Sequence, residues 1–149
     1  MSKQQNKKLV IDPRRVQQVS VQSVEQNLRA DLAVESAWVR GNVTDRMAGF
    51  PLGVRVVNRG NAPVASAYII RASLPGFPAR EFNANHIPAN PIRPGQSFAY
   101  EFYFFLGETD RLPPGQYDIA VMIDSSDVIS ELNENNNQGV ALFAVQSAV

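Results

Sequence analysis

Short runs in which apolar and polar residues alternate are the feature that most constrains how this sequence can fold. The clearest runs are FAYEFYF at 98–104 and YDIAVMI at 117–123. A period of two puts successive side chains on opposite faces of a strand, so each run is typical of a β-strand with one buried face. Four further β-like runs lie at 31–39, 50–58, 66–74 and 140–145.

Turn residues separate these runs. Three Pro-Gly pairs and nearly all of the ten prolines lie between the runs, where proline costs no ladder hydrogen bond. No amphipathic helix pattern follows residue 30, and at least six short strands without intervening helices predict a two-sheet β-sandwich over 31–149. The proline-rich stretch 76–94 is either a long loop or an edge strand around 80–82 with flanking loops.

The first 30 residues differ from the rest of the chain. They are rich in Gln and Val without a clean period of 2 or 3.6, which indicates an extended N-terminal arm over 1–30. The formal net charge of the chain is zero, but the first fifteen residues carry five bases against one acid. We expect the arm either to seek a negatively charged partner surface or to stay a solvated tail. The basic residues that would contact a partner are Lys3, Lys7, Lys8, Arg14 and Arg15.

Several classes of protein are excluded by what the sequence lacks. Without cysteine it can form no disulfide and no thiolate metal site. No apolar run approaches the ~20 residues of a membrane span, and no apolar segment follows the basic N-terminus as in a secretory signal. The single histidine, His86, lies in a predicted loop and is expected on the surface. Without a Gly-x-Ser-x-Gly elbow or a phosphate-binding glycine loop, we expect no enzyme and no cofactor. No aromatic residues are interleaved with the basic residues of the arm and the rest of the chain is acidic, so we expect no specific nucleic-acid partner.

Three segments resemble those of one known family. They are DLAV at 31–34, VVNRGNAP at 56–63, and the stretch from PGQY at 114–117 through Asp124 to ELNENNN at 131–137. They are similar to the opening strand, the V-x-N-x-G strand-turn and the Asn-rich signature of the CARDB family, the cell-adhesion-related domain of bacteria. The resemblance implies an all-β fold, an immunoglobulin-like antiparallel β-sandwich of about seven strands. It also implies a non-catalytic module of secreted or surface proteins.

Oxygen-donor side chains cluster between the last two predicted strands. Asp and Asn side chains accept hydrogen bonds from turn amides, and Asn tolerates left-handed backbone, so the segment is predicted to lock the turn. The same hard donors could instead hold a calcium ion, although the EF-hand spacing is absent. The candidate ligands are Asp124, Asp127, Glu131, Asn133 and Glu134.

Aromatic residues crowd the run that begins at residue 98. Phe102 and Phe104 are predicted to face the core, which turns Tyr103 and Phe105 out of the sandwich. Two aromatic rings on an outer face form an apolar patch that commonly marks a contact surface, unless the loop at 77–93 covers them.

Two functions remain open for such a module. The charged arm, the lone domain and the missing export signal favour a component of a large assembly, such as a capsid or tail decoration protein of a phage virion, anchored by residues 1–30. The alternative is a bacterial or archaeal surface or secreted module for adhesion or carbohydrate binding. Trp38, Tyr68 and Tyr103 would then form a stacking platform, although core packing is their other role. The expected partners are proteins, either subunits of the assembly or copies of the chain itself.

Overall fold

The computed structural model describes residues 28–64, 66–84, 91–123 and 137–148, and these form eight β-strands. The strands are β1 (Leu32–Val39), β2 (Val43–Thr44), β3 (Gly49–Asn58), β4 (Tyr68–Ser73), β5 (Arg80–Ala84), β6 (Ser97–Phe105), β7 (Gly115–Ile123) and β8 (Gln138–Gln146). The prediction of an all-β fold is confirmed, and each predicted run is a strand whose ends differ by at most two residues. Of the two alternatives for the proline-rich stretch, the structure shows the edge strand, which is β5. β2 has only two residues, too few to show an alternation in the sequence.

The strands form two sheets. One has three strands in the order β1-β3-β6, and the other has five in the order β2-β8-β7-β4-β5. Neighbouring strands are antiparallel except for the short parallel pair of β2 and β8. β1 lies beside β8 along one side of the sandwich and β5 lies beside β6 along the other. The predicted immunoglobulin-like β-sandwich is thereby confirmed.

The core lies between the inner faces of the two sheets. Alternation along β3 buries Leu52, Val54 and Val56 completely, in agreement with the period-two pattern. The ring of Phe50 stacks on Phe104 with centroids 5.4 Å apart, so the aromatic side chains contribute specific ring contacts as well as buried area. The largest fully buried side chains are Tyr68, Phe50, Phe104, Leu32, Leu52, Ile70, Leu74, Ile119, Ile123, Val54, Val56 and Val64.

Asn58 joins the start of β1 to the turn that follows β3. Its side chain is fully buried and makes four hydrogen bonds, the full capacity of a primary amide. Nδ2 donates to the carbonyls of Ala62 at 2.7 Å and Ile92 at 2.9 Å. Oδ1 accepts from the amides of Asp31 at 3.1 Å and Gly60 at 3.0 Å. The asparagine of the V-x-N-x-G segment is therefore a structural residue that fixes this end of the sandwich.

Candidate functional site

A β-bulge in β1 decides which side chains reach the outer face of the three-stranded sheet. Val34 pairs with Val56, but the register shifts between Val34 and Ser36, so that Trp38 pairs with Gly53. Because side chains alternate along a strand, regular continuation from Val34 would turn Trp38 toward the core. The extra residue of the bulge turns it outward instead, which is a common use of bulges beside functional surfaces.

The indole ring of Trp38 lies flat on the backbone of Gly53. A Cβ atom at Gly53 would come within 2.2 Å of Cε2, 2.4 Å of Nε1 and 2.5 Å of Cζ2 of Trp38. These nearly equal distances to three adjoining ring atoms mean that the ring presents its face, rather than its edge, to the strand. Only glycine leaves room for an approach this close, which explains its place inside a central strand.

The ring of Tyr103 occupies the corresponding space over Gly49, at the start of β3. A Cβ atom at Gly49 would lie 2.8 Å from Cε2 and Cζ of Tyr103. Tyr103 is 57% exposed, and Phe105, whose register partner is Gly49, is 41% exposed. The two glycines of β3 thus each lie under an aromatic ring, one from β1 and one from β6.

An ion pair crosses β3 between these rings. Nε of Arg40 donates to Oε2 of Glu101, and this hydrogen bond, together with the charge of Glu101, raises the pKa of Arg40. The backbone amide of Arg40 donates to the carbonyl of Pro51 at 3.1 Å, which fixes the end of β1 against β3. Both charged side chains are open to solvent, so the pair adds little stability but places donors and acceptors between two rings. We call Trp38, Arg40, Pro51, Glu101, Tyr103 and Phe105 the outer aromatic face.

The structure brings together two of the three residues of the predicted stacking platform. Trp38 and Tyr103 lie on the strands that flank β3 and share its outer face. Tyr68 takes the other role, core packing, because the alternation of β4 points its side chain inward, where it is 2% exposed. The hydroxyls of Tyr68 and Tyr100 lie 2.9 Å apart, and burial raises the pKa of Tyr100 to about 12. Tyr103 and Phe105 are outward-facing as predicted, and their contact with a partner stays a prediction.

Several predicted site residues lie outside the described residues. They are the basic residues Lys3, Lys7, Lys8, Arg14 and Arg15, the oxygen donors Asp124, Asp127, Glu131, Asn133 and Glu134, and His86. Partner binding by the arm and calcium binding by the oxygen donors therefore stay predictions. Across 28–64, 66–84, 91–123 and 137–148, the structure shows no cluster of three acidic or histidine side chains placed to hold a metal ion. The same residues include no helix with the length and hydrophobicity to cross a membrane.

A second exposed surface was not foreseen from the sequence. On the outside of the five-stranded sheet, Leu142 is 75% exposed, Val140 is 54% exposed and Met122 is 36% exposed. The alternation in β8 carries the signal, because burial of Phe143 turns its neighbour Leu142 to the opposite face. We call the surface formed by Ala120, Met122, Val140 and Leu142 the aliphatic face.

Comparisons with known proteins agree with this architecture. The CARDB family model matches residues 29–141 of the chain. The chain is similar to a crystal structure of a CARDB domain from Pyrococcus furiosus, in complex with di-metal ions, with 24% identity and a TM-score of 0.52. That match covers 80% of this chain and 90% of the other.

A second solved structure shows the same likeness of fold. It is the solution NMR structure of a domain from a Methanosarcina acetivorans protein described as a cell surface protein. The identity is 18% and the TM-score 0.55, over 78% of this chain and 92% of that one. No match was found among curated proteins.

Proposed function

The chain belongs to the CARDB family, and on that premise we propose that it is a non-catalytic adhesion module of a bacterial or archaeal cell surface. Its partner in this proposal is a neutral carbohydrate, which it binds through the outer aromatic face. The family and the cell-surface description of the Methanosarcina acetivorans protein support the location. No comparison supports the expected role as a virion decoration protein.

The observation that carries the proposal is the flat placement of Trp38 on Gly53. A pyranose ring has faces formed by C–H groups and a rim of hydroxyl groups, so it stacks on the open face of an aromatic ring. Trp38 has one face against the strand, and this leaves the opposite face directed away from the sheet. Tyr103, on the other side of β3, offers a second ring on the same surface.

The polar groups between the rings suit the hydroxyl rim of a sugar. The guanidinium of Arg40 has five N–H donors, and only the Nε donor is used in its bond to Glu101. Glu101 keeps acceptor capacity on its carboxylate. Because the two charges neutralise each other, the surface between the rings favours a neutral carbohydrate over an acidic one.

The same surface supports binding without cleavage. Glycosidases place two carboxyl groups on either side of the scissile bond, one as acid and one as base or nucleophile. Among the described residues, the outer aromatic face offers a single carboxylate, that of Glu101, and it is held in the ion pair with Arg40. Tyr103, Arg40 and Glu101 are each exposed, so water reaches this face.

A glycan array of neutral hexose and N-acetylhexosamine oligosaccharides tests the proposed function. We expect binding by the unaltered chain and at least a tenfold loss of affinity in Trp38→Ala and in Tyr103→Ala. Arg59→Ala, in the exposed turn after β3 and outside the outer aromatic face, is the matched control and should bind normally. If none of the arrayed glycans binds, the carbohydrate proposal is wrong. If binding survives both aromatic substitutions, the ligand site is not the outer aromatic face.

A further inference from the structure

The aliphatic face has a projecting end and a recessed end. Leu142 projects from one end of it. The other end is a shallow depression of about 320 Å³ between β4, β7 and β8. Its wall includes Arg71, Ser73, Ala120, Met122, Gln138 and Val140. Val140, in this wall, precedes Leu142 by two residues along β8, and its register partner is Ala120.

A two-fold axis lying in this face, across the strands at Ala120 and Val140, would exchange its two ends. The projecting Leu142 of each copy would then enter the depression of the other copy. Face-to-face packing of sheets tolerates this arrangement, since strand directions within about 30° of each other interdigitate well.

The charges on the face follow the same symmetry. Asp118 is the register partner of Leu142, while Arg71 is the register partner of Met122 beside the depression. Asp118 and Arg71 therefore lie on opposite sides of the axis, roughly 14 Å apart along the strand direction at about 3.4 Å per residue. The axis brings Arg71 of each copy opposite Asp118 of the other copy, which gives two complementary pairs.

Arg71 has the capacity for this second partner. Its Nη1 lies 3.5 Å from Oε2 of Glu81, and half of its side chain is exposed. A guanidinium has five N–H donors, so the contact with Glu81 leaves others for a carboxylate of a second copy.

We propose that the aliphatic face is a homodimer interface, in which two copies of this chain pack the outer faces of their five-stranded sheets together. The interface is isologous, because the same residues contribute from both copies. The outer aromatic face belongs to the other sheet, so the dimer displays one aromatic face at each end. This inference stands on observations separate from the carbohydrate proposal, and a bivalent product would let an adhesion module bridge two surfaces.

Sedimentation equilibrium of the full chain, from micromolar to submillimolar concentration, tests the interface. We expect a reversible monomer–dimer equilibrium, and at least a tenfold weaker dimer in Leu142→Asp. Arg71→Asp and Asp118→Arg should each weaken the dimer, and the double variant that exchanges the two charges should recover it. Tyr103→Ala, on the other sheet, is the matched control and should dimerise normally. Circular dichroism melts would verify that each variant is folded.

Two outcomes would overturn the dimer. One is a monomer at every concentration. The other is a dimer that Leu142→Asp leaves unchanged, which would place the interface elsewhere. If Arg71 and Asp118 only stabilised the fold of each copy, exchanging their charges would not restore dimer affinity. Recovery of the dimer in the exchanged variant therefore shows that the two side chains pair across the interface. Glycan binding by folded Leu142→Asp separates this proposal from the proposed function, since the monomer keeps its aromatic face.

Discussion

The indole ring of Trp38 lies against the main chain of Gly53, in the space that any other side chain at position 53 would fill. The contact depends on the bulge that precedes Ser36, because without it the regular alternation of β1 would turn Trp38 toward the core. A glycine that weakens a strand on its own is thus covered by an aromatic ring from the neighbouring strand. The same contact sets which ring face points away from the sheet.

Gly53→Ala should lift the indole from the sheet. The added methyl group would overlap Cε2 of Trp38, and such overpacking typically costs about 1–3 kcal/mol of unfolding free energy. Because Trp38 is the single tryptophan, its fluorescence reports the displacement directly. Ala99→Val adds bulk to an exposed position of the same sheet, away from Trp38, and should leave the emission unchanged. An unaltered spectrum in Gly53→Ala would contradict the close contact.

Asn58→Ala should destabilise the fold by about 3 kcal/mol. The substitution removes four hydrogen bonds and leaves two amides and two carbonyls without that partner, at about 0.5–1.5 kcal/mol for each bond. Urea unfolding measures the change. Asn61→Ala is the control, because the exposed Asn61 side chain accepts one bond, from the amide of Arg29, and its loss should cost clearly less. Equal costs for the two variants would refute the central role of Asn58.

The fold should lose stability between about pH 10 and pH 12. In the unfolded chain Tyr100 ionises near pH 10, whereas burial holds its folded-state pKa at about 12. The unfolded state therefore binds fewer protons in this window, so the contribution of Tyr100 is complete below pH 10 and falls as the pH rises. Tyr100→Phe should flatten this decline in urea unfolding, and Tyr103→Phe, at an exposed position, should not. A decline equally steep in Tyr100→Phe would show that other groups cause it.

Calcium separates the two hypotheses for the oxygen donors after β7. If they lock a turn, as we expect, millimolar calcium leaves the melting temperature unchanged. If they form a binding site, ligand linkage raises the melting temperature, and Asp127→Asn should remove that rise. Differential scanning calorimetry with and without a chelator makes the comparison.

Periodicity predicted most of the fold. Alternation in β6, β7 and β8 is regular, so the sequence shows which side chains enter the core and which, like Tyr103, point outward. Periodicity placed Trp38 in β1 but did not predict which face of the sheet its side chain would occupy. The bulge is set by pairing with β3, and no local pattern announces the extra residue.

The partnership between Trp38 and Tyr103 was also beyond what sequence could establish. The two residues are far apart along the chain and meet on one face only because β1 and β6 both pair with β3. Tyr68 was a candidate third residue of the stacking platform by residue type alone. The alternation of β4 points its side chain into the core, which removes it from the platform. The role of the two glycines under the rings also depends on the strand register. Each glycine faces an aromatic residue directly across a strand pair or diagonally, and only the pairing of the strands shows this.

Titration of the chain with the neutral oligosaccharides of the array, followed by Trp38 fluorescence, tests the central claim most directly. A sugar stacked on the indole replaces water, so the account predicts a saturable blue shift of the emission. Tyr103→Ala should weaken that response and Leu142→Ala should not. An emission spectrum that stays constant across the whole series, in a chain shown to be folded, would contradict carbohydrate binding at the outer aromatic face.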